Sequence, residues 1–420
     1  MTDQSVFVLI VLVLCFSVVS GRLRRGYLSP AAVFVVVGVV LGADGLGLVE
    51  VQADREGFRT VAELALTLIL FTQASRLDLR TMLRQGAMAR RLLGIGMPLT
   101  VVLGTVVALL LLPALPSWEA VCLAVIVAPA EAALVEALLV DPRIPRRIRE
   151  GLSVESGLYD GFAVAALLTV LAIASQEAEP APGEWAWFAF RTVHVSLAVG
   201  IVIGLVGGKA IAVARAHGWT TDSWAQLATL ALAVLCFGAG EQFHGSGFAT
   251  AFAGGLAYAA IKPGRGQDRA PTQVAGAASE LLELVTFALF GAVVVVPAFR
   301  DADWRVLAFA IAAVTLVRLV SVLVAFTRSD VPAASVVFMG WFGPRGITTL
   351  VLGLIVLEEG VMQEPLLLTQ AAVVTVVLSI VLHSVTAPIG IRLLHARDAA
   401  DEPPRTVRPG QTAGDPEQST

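Results

Sequence analysis

Five ionisable side chains lie inside long apolar stretches of this chain: Glu131, Glu155, Asp160, Arg318 and Arg345. A charge at the depth of a bilayer costs ~2.5–3.5 kcal/mol on insertion scales and marks ion or proton pathways. Three acids and two bases nearly balance, and opposite charges can pair in a dry interior. Because a carboxylate can also bind a proton or a hard cation, these residue types indicate ion binding.

Two of these charges coincide with interruptions of an apolar helix. Glu131 closely follows Pro129, which removes a backbone donor and disturbs the helix. Arg345 lies within Gly343-Pro344-Arg345-Gly346, where proline and glycine again interrupt an apolar run. Each break exposes two half-helix ends of opposite partial charge. Broken helices at corresponding positions of two repeats indicate a transport site; the alternative is a pair of structural kinks.

Another apolar stretch carries Glu155, Ser156 and Asp160. A separation of five residues turns Glu155 and Asp160 ~140° apart on a helix, so they do not share one face. Ser156 precedes Asp160 by four residues, and its hydroxyl therefore lies on the same face as that carboxylate. Ser156 and Asp160 make a small oxygen site suited to a hard cation. The alternative for Asp160 is a structural ion pair.

Weaker candidates are His244 and His383, which could sense pH because histidine titrates near neutrality. A lone histidine is more often structural. Glu136 is expected to line a cytoplasmic access funnel, because a charged side chain without a function would be costly in the membrane. Cys15, Cys122 and Cys236 lie in apolar runs without the spacing of metal ligands, and no disulfide framework is expected.

The elements that position these residues are predicted membrane spans. Of the 420 residues, 57% are hydrophobic and 15% are charged, and the mean hydropathy is +0.81. Soluble domains carry about 25% charged residues, so this composition excludes a soluble enzyme, a nucleic-acid binder and a disordered protein. A spanning helix needs ~20 mostly apolar residues. Thirteen spans are predicted, at about 5–21, 28–46, 57–75, 92–112, 117–139, 147–175, 185–213, 223–241, 245–261, 274–297, 303–327, 332–358 and 364–395.

The two breaks then lie in the fifth and twelfth spans, and spans four to six and eleven to thirteen form matching units. Arginine and lysine concentrate in the loops after odd-numbered spans, as at 22–25, 143–149 and 262–269. This bias predicts an N-terminus outside the cell and a C-terminus in the cytoplasm. Residues 1–397 are predicted to form the transmembrane domain. The segment 398–420, rich in proline, glycine and acids, is predicted to be a disordered cytoplasmic tail.

Several motifs resemble the bacterial sodium/proton antiporters of the monovalent cation:proton antiporter (cation/hydrogen exchanger) family. The specific ones are Glu-Ser-Gly-Leu-x-Asp at 155–160 and Trp-Phe-Gly-Pro-Arg-Gly at 341–346. The resemblance covers nearly the whole membrane part. It is also carried by 128–134, 141–143, 245–248, 253–254, 286–291 and 383–388.

The resemblance implies an all-α inverted-repeat antiporter fold in which two broken helices cross. It implies that Asp160 binds the cation and exchanges it for protons, with Ser156 supplying an oxygen. It further implies that Glu155 pairs with Arg318 and that Glu131 lies near Arg345. Members of the family form homodimers, so a second copy of the chain is an expected partner.

The chain departs from the family pattern around this site. Ala130-Glu131 stands where the family has Thr-Asp, and Tyr159 stands where an Asn precedes the ion-binding Asp. Thr72 and Gln73 follow Leu70-Phe71, where members often carry an acid. The predicted ion-binding residues are Asp160, Ser156, Glu131 and Ala130. The residues expected to line the site are Tyr159, Pro129, Thr72 and Gln73.

These observations predict a secondary antiporter of the cell membrane, and neither an enzyme nor a cofactor-dependent protein. It would exchange a monovalent cation for H+ by alternating access. Na+ is the first expectation for this cation, and K+ is the second. The exchange is expected to be electroneutral, because Asp160 alone would titrate while Arg345 holds Glu131 ionised. The alternatives are a non-transporting sensor or regulatory membrane protein, and a channel-like ion pathway on the same scaffold.

Overall fold

The structure is a computed structural model that describes residues 3–25, 29–49, 55–77, 87–131, 141, 143–174, 184–261, 272–300, 302–358, 360 and 362–401. Within these ranges the chain forms fourteen helices and no strand. The helices are α1 (Asp3–Arg25), α2 (Pro30–Leu41), α3 (Arg55–Arg76), α4 (Ala87–Leu111), α5 (Ser117–Val127), α6 (Arg146–Ala174), α7 (Glu184–Ala216), α8 (Asp222–Gln242), α9 (Gly247–Ile261), α10 (Gln273–Arg300), α11 (Trp304–Ala325), α12 (Ala333–Trp341), α13 (Ile347–Glu358) and α14 (Pro365–Asp401).

Every predicted span contains at least one of these helices, which confirms the all-α polytopic fold. Among the described residues, eight helices are long and apolar enough to cross a membrane, and α2, α5, α9 and α13 are shorter apolar helices. The twelfth span is divided into α12 and α13, as its Gly-Pro-Arg-Gly sequence predicts. The fifth span ends its first half at Val127, and its predicted second half with Glu136 lies outside the described residues. Helix α14 continues to Asp401, and the remainder of the predicted tail lies outside them too.

The surface of the bundle is apolar over several helices. Phe7 and Leu14 of α1 are 66% and 64% exposed, and Val202 and Val206 of α7 are 59% and 65% exposed. A soluble protein rarely leaves contiguous apolar faces in water. These faces therefore suit contact with lipid or with another apolar surface.

Loops predicted to share a side of the membrane contact one another. Arg91, at the start of α4, donates a hydrogen bond to the carbonyl oxygen of Thr327 (3.1 Å), just past the end of α11. At the opposite end of the bundle, Arg300 of α10 pairs with Asp44, which follows α2, at 2.7 Å. Both contacts fit the alternation of the predicted spans.

Three described helices contain one π-helical turn each: Leu92–Gly96 in α4, Gly291–Val295 in α10 and Ala313–Val317 in α11. A π-turn interrupts the regular ladder of backbone hydrogen bonds and is frequent at functional sites. The turn in α11 ends immediately before the buried side chain of Arg318.

Candidate ion-binding site

The two broken spans meet through their backbones. The amide of Glu131, four residues beyond the end of α5, donates a hydrogen bond to the carbonyl oxygen of Pro344 at 2.6 Å. Pro344 lies in the unwound segment between α12 and α13. Pro129 and Ala130 are buried in the unwound segment of the fifth span, where Ala130 is 6% exposed. The predicted crossing of two interrupted helices is therefore present.

Two glycines leave the space that this crossing requires. A Cβ atom on Gly343 would overlap the guanidinium group of Arg318. A Cβ atom on Gly346 would lie 2.6 Å from Cγ and 3.0 Å from Oε2 of Glu131. The glycines of the Gly-Pro-Arg-Gly sequence are therefore needed for close approach as well as for the break.

Arg345 replaces missing backbone donors at the break. Its Nε donates to the carbonyl oxygen of Val127 (2.6 Å), where α5 ends, and its Nη2 reaches the carbonyl oxygen of Ala313 (3.5 Å) in the π-turn of α11. Its Nη1 donates to the carbonyl oxygen of Gly343. The side chain is 1% exposed. One guanidinium group thus joins three elements through carbonyl oxygens that regular helices would have satisfied internally.

Glu131 is the neighbour of Arg345 along the crossing, but no ion pair joins the two within the described residues. Oε2 of Glu131 lies 3.5 Å from the amide nitrogen and 3.5 Å from the hydroxyl of Thr348, in the first turn of α13. The expected neutralisation of Glu131 by Arg345 is therefore not made by a direct ion pair in the described part of the chain, and it stays a prediction. The positive end of the α13 dipole and its free amides face this carboxylate instead.

Glu155 and Arg318 form a buried bidentate pair. Nη1 of Arg318 lies 2.9 Å from Oε1 of Glu155, and Nη2 lies 3.0 Å from Oε2. Nη2 also donates to the carbonyl oxygen of Met339 in α12 (3.3 Å). The two side chains are 1% and 2% exposed. This pair ties α6, α11 and α12 together beside the crossing.

Asp160 lies on the other side of α6 and is fully buried. Its carboxylate interacts electrostatically with Glu131 and lies beside the hydroxyl of Thr348. Within the described residues neither of its oxygens accepts a hydrogen bond of normal geometry, and the buried hydroxyl of Ser156 also lacks a partner. Buried polar atoms are nearly always bonded. A cluster of unsatisfied buried oxygen atoms is the environment in which a hard cation or a proton is stabilised.

Tyr159 does not face Asp160. Its fully buried ring lies within electrostatic range of Arg318, Arg345 and Glu155, and its hydroxyl lies beside Thr100 of α4. The site thus has two layers, one with both arginines, Glu155 and Tyr159, and one with Asp160 and Glu131.

The two predicted lining residues of α3 are less involved. The hydroxyl of Thr72 donates to the carbonyl oxygen of Leu68 in its own helix at 2.6 Å. The side-chain oxygen of Gln73 is buried without a hydrogen bond. No hydrogen bond in the described part of the chain joins either residue to Asp160.

Sequence reasoning overlooked two contributors to the crossing. Thr348 is one, and the Thr-Thr pair directly after the break was the available signal. The other is the contact of α14 with the break: the hydroxyl of Ser379 accepts a hydrogen bond from the amide of Arg345 (2.8 Å). His383 lies 2.8 Å from the carbonyl oxygen of Trp341 through Nε2 and 2.7 Å from that of Ser379 through Nδ1. His383 is therefore part of the support of the broken helix.

The fold and this charge cluster define a class: polytopic membrane proteins in which two broken helices cross at buried charges. The chain belongs to the sodium/hydrogen exchanger family, whose transmembrane model matches residues 7–392. This match confirms the resemblance seen in the motifs. The family is one of membrane exchangers rather than enzymes.

Individual relatives are more distant. The chain is 25% identical over 355 residues to the K(+)/H(+) antiporter NhaP of Alkalimonas amylolytica, an alignment that covers 82% of this chain and 59% of that protein. The chain therefore spans less than two thirds of that relative's length. Its fold matches two structures of the sodium proton antiporter MjNhaP1 of Methanocaldococcus jannaschii. One, at pH 8, has a TM-score of 0.76, 17% identity and coverage of 93% of this chain and 98% of that one. The other, from electron microscopy, has a TM-score of 0.73, 16% identity and coverage of 96% and 100%.

Proposed function

We propose that this protein is a secondary antiporter that exchanges a monovalent cation for a proton across the cell membrane. One observation carries the proposal: five charged side chains at the crossing are each no more than 2% exposed. Three are carboxylates and two are guanidinium groups, so together they leave one negative charge. A single proton or a single monovalent cation neutralises that charge. The residues are Glu131, Glu155, Asp160, Arg318 and Arg345.

Asp160 is the carboxylate that takes either ligand. Glu155 is already paired with Arg318, whereas the oxygens of Asp160 and Ser156 lack hydrogen-bond donors. Glu131 contributes a second carboxylate to the same layer. Ala130 contributes the backbone of the unwound segment. A proton and a cation compete for this layer, because two ionised carboxylates side by side repel each other unless a positive charge lies between them.

Exchange by this site is electroneutral. Loaded with one cation, or with one proton, the cluster has the same net charge, so both forms move across the membrane at the same electrostatic cost. Only a neutralised cluster passes readily through the low-dielectric interior. Alternating access of the core around the crossing then couples the two fluxes without ATP.

Na+ is the first cation proposed, and K+ is the second. The solved relative is called a sodium proton antiporter, and the aligned relative is called a K(+)/H(+) antiporter. Both ions are hard and monovalent, and both accept carboxylate and hydroxyl oxygens as ligands.

The proposed arrangement places the N-terminus outside the cell, the C-terminal end of α14 in the cytoplasm and two copies in a homodimer. Residues 1–397 form the transmembrane domain and 398–420 the cytoplasmic tail. The arginine bias of the loops supports the orientation. Thiol labelling of an introduced cysteine at Arg328 from only the cytoplasmic side of the membrane tests it, with a cysteine at Asp303 as the opposite control.

The function is tested with purified protein in proteoliposomes that contain a pH dye. Addition of Na+ or K+ should drive proton movement in the wild type, and Asp160→Asn should abolish it because asparagine does not take up a proton. Glu150→Gln, an exposed carboxylate on the same helix, should retain wild-type exchange. Cation flux without proton movement would identify a channel. Absence of any cation-dependent flux in the wild type would favour a non-transporting sensor.

A further inference from the structure

Thr348 differs from most threonines of the described helices. The usual pattern is a hydroxyl that donates to the carbonyl oxygen four residues earlier, which satisfies it inside the helix. Twelve follow this pattern: Thr67, Thr72, Thr100, Thr105, Thr169, Thr229, Thr250, Thr286, Thr315, Thr369, Thr375 and Thr386. Thr348 has no such bond among the described contacts.

The break explains this difference. The carbonyl oxygen four residues before Thr348 belongs to Pro344, in the unwound segment, and it accepts the amide of Glu131 at 2.6 Å. The hydroxyl of Thr348 is therefore not held by its own helix. It lies 3.5 Å from Oε2 of Glu131 and beside the carboxylate of Asp160. The residue is 1% exposed, so its hydroxyl is shielded from bulk solvent.

From these contacts we infer that the hydroxyl of Thr348 is a ligand of the transported cation and a determinant of its affinity. A hydroxyl has one proton to donate and two lone pairs to offer. With the proton directed at Glu131, a lone pair faces the space next to Asp160. Thr348 thereby supplies a neutral oxygen between two carboxylates, in a segment where Ala130 has no side-chain oxygen to offer. This inference rests on the proposed antiport function.

Thr348 also differs from a residue with a merely structural role. A structural hydroxyl would bond to a fixed partner at about 2.5–3.0 Å, as Thr375 does with the carbonyl oxygen of Ala371 at 2.6 Å. The longer distance from Thr348 to Glu131 leaves the hydroxyl free to shorten a contact with a bound ion. The oxygens of Asp160 and Ser156 that lack donors supply further ligands.

The experiment measures the apparent KM for Na+ and K+ and the maximal rate of exchange in proteoliposomes. Thr348→Val preserves shape and removes the hydroxyl. It should raise the apparent KM for the transported ion about tenfold, with a maximal rate near that of the wild type. Thr348→Ala should have the same effect on KM despite its different volume, so a packing defect in one variant does not decide the result. Thr348→Ser should restore KM to within about threefold of the wild type.

Thr375→Val is the matched control, because it removes an equally buried hydroxyl that is satisfied within its own helix. It should leave KM unchanged. An unchanged KM in both Thr348→Val and Thr348→Ala, in a protein whose exchange depends on Asp160, would overturn the role of Thr348 and leave the antiport function intact. Absence of exchange in the wild type would overturn both.

Discussion

The amide of Glu131 donates a hydrogen bond to the carbonyl oxygen of Pro344 at 2.6 Å, and this bond joins the two interrupted spans at their breaks. Neither atom could take part if its helix were continuous, since each would be used in its own ladder of hydrogen bonds. The bond positions the Glu131 carboxylate at the start of α13, near Asp160. The proposed site is therefore positioned by a contact between two backbone segments. This contact determines where the side chains of those segments lie.

The proposed electroneutral exchange should be insensitive to membrane potential. A charge that crosses 100 mV changes in energy by ~2.3 kcal/mol, and no net charge crosses when one cation replaces one proton. The rate of Na+-driven proton movement should change less than twofold when a potassium diffusion potential is imposed with valinomycin, provided K+ is not a substrate. A severalfold change would show that Glu131 or another acid also titrates during the cycle, against the one-carboxylate scheme.

Loss of one member of the Glu155–Arg318 pair should destabilise the protein strongly. Glu155→Met or Arg318→Met leaves an uncompensated buried charge, which costs ~3–5 kcal/mol. The double variant should recover most of this loss, since an apolar pair of similar volume is often as stable as a buried ion pair. Thermal unfolding in detergent measures all three.

The exposed pair Arg300–Asp44, with side chains 63% and 31% exposed, is the control for that experiment. Arg300→Met should change stability by no more than ~1 kcal/mol. A loss in the double variant equal to the sum of the two single losses would show that Glu155 and Arg318 act independently, against the bidentate geometry.

Gly346→Ala should impair exchange, because its Cβ would lie 2.6 Å from Cγ of Glu131 and would push that carboxylate out of the site. A Cβ atom on Gly353, within α13, would meet nothing within 4 Å, so Gly353→Ala is the control. It should have wild-type activity. We expect at least a tenfold lower rate for Gly346→Ala in proteoliposomes. Equal activity of the two variants would mean that the position of Glu131 is not critical.

The rarity of charges in apolar spans singles out Glu155 and Arg318 as candidates, and the family resemblance implies that they pair. Proline and glycine mark where each helix breaks, and the resemblance to the family implies that the two breaks cross. The sequence does not predict the partners of Arg345. These partners are backbone carbonyl oxygens, which every residue has, so no residue type identifies them. The same limit applies to the contact of Glu131 with Thr348, because a helix terminus is a feature that belongs to no particular residue type.

The π-turns also could not be predicted from the sequence. Ala313–Val317 is an ordinary apolar run, and nothing in it distinguishes a wide turn from a regular one. Thr348 had a visible position next to the break, but its loss of an internal partner follows only from the unwound geometry of Pro344.

The π-turn of α11 makes the number of residues in 313–317 important for the broken helix. A π-turn contains one residue more than the α-helical turn it replaces, while either turn completes about one rotation of the helix. Deletion of a single residue from 313–317 would therefore restore regular winding, and Arg318 would keep nearly the same direction relative to Trp304–Ala312. The deletion would instead remove the wide turn, whose Ala313 carbonyl oxygen lies 3.5 Å from Nη2 of Arg345. A frame-preserving deletion there should thus weaken the support of the broken helix while the Glu155–Arg318 pair persists.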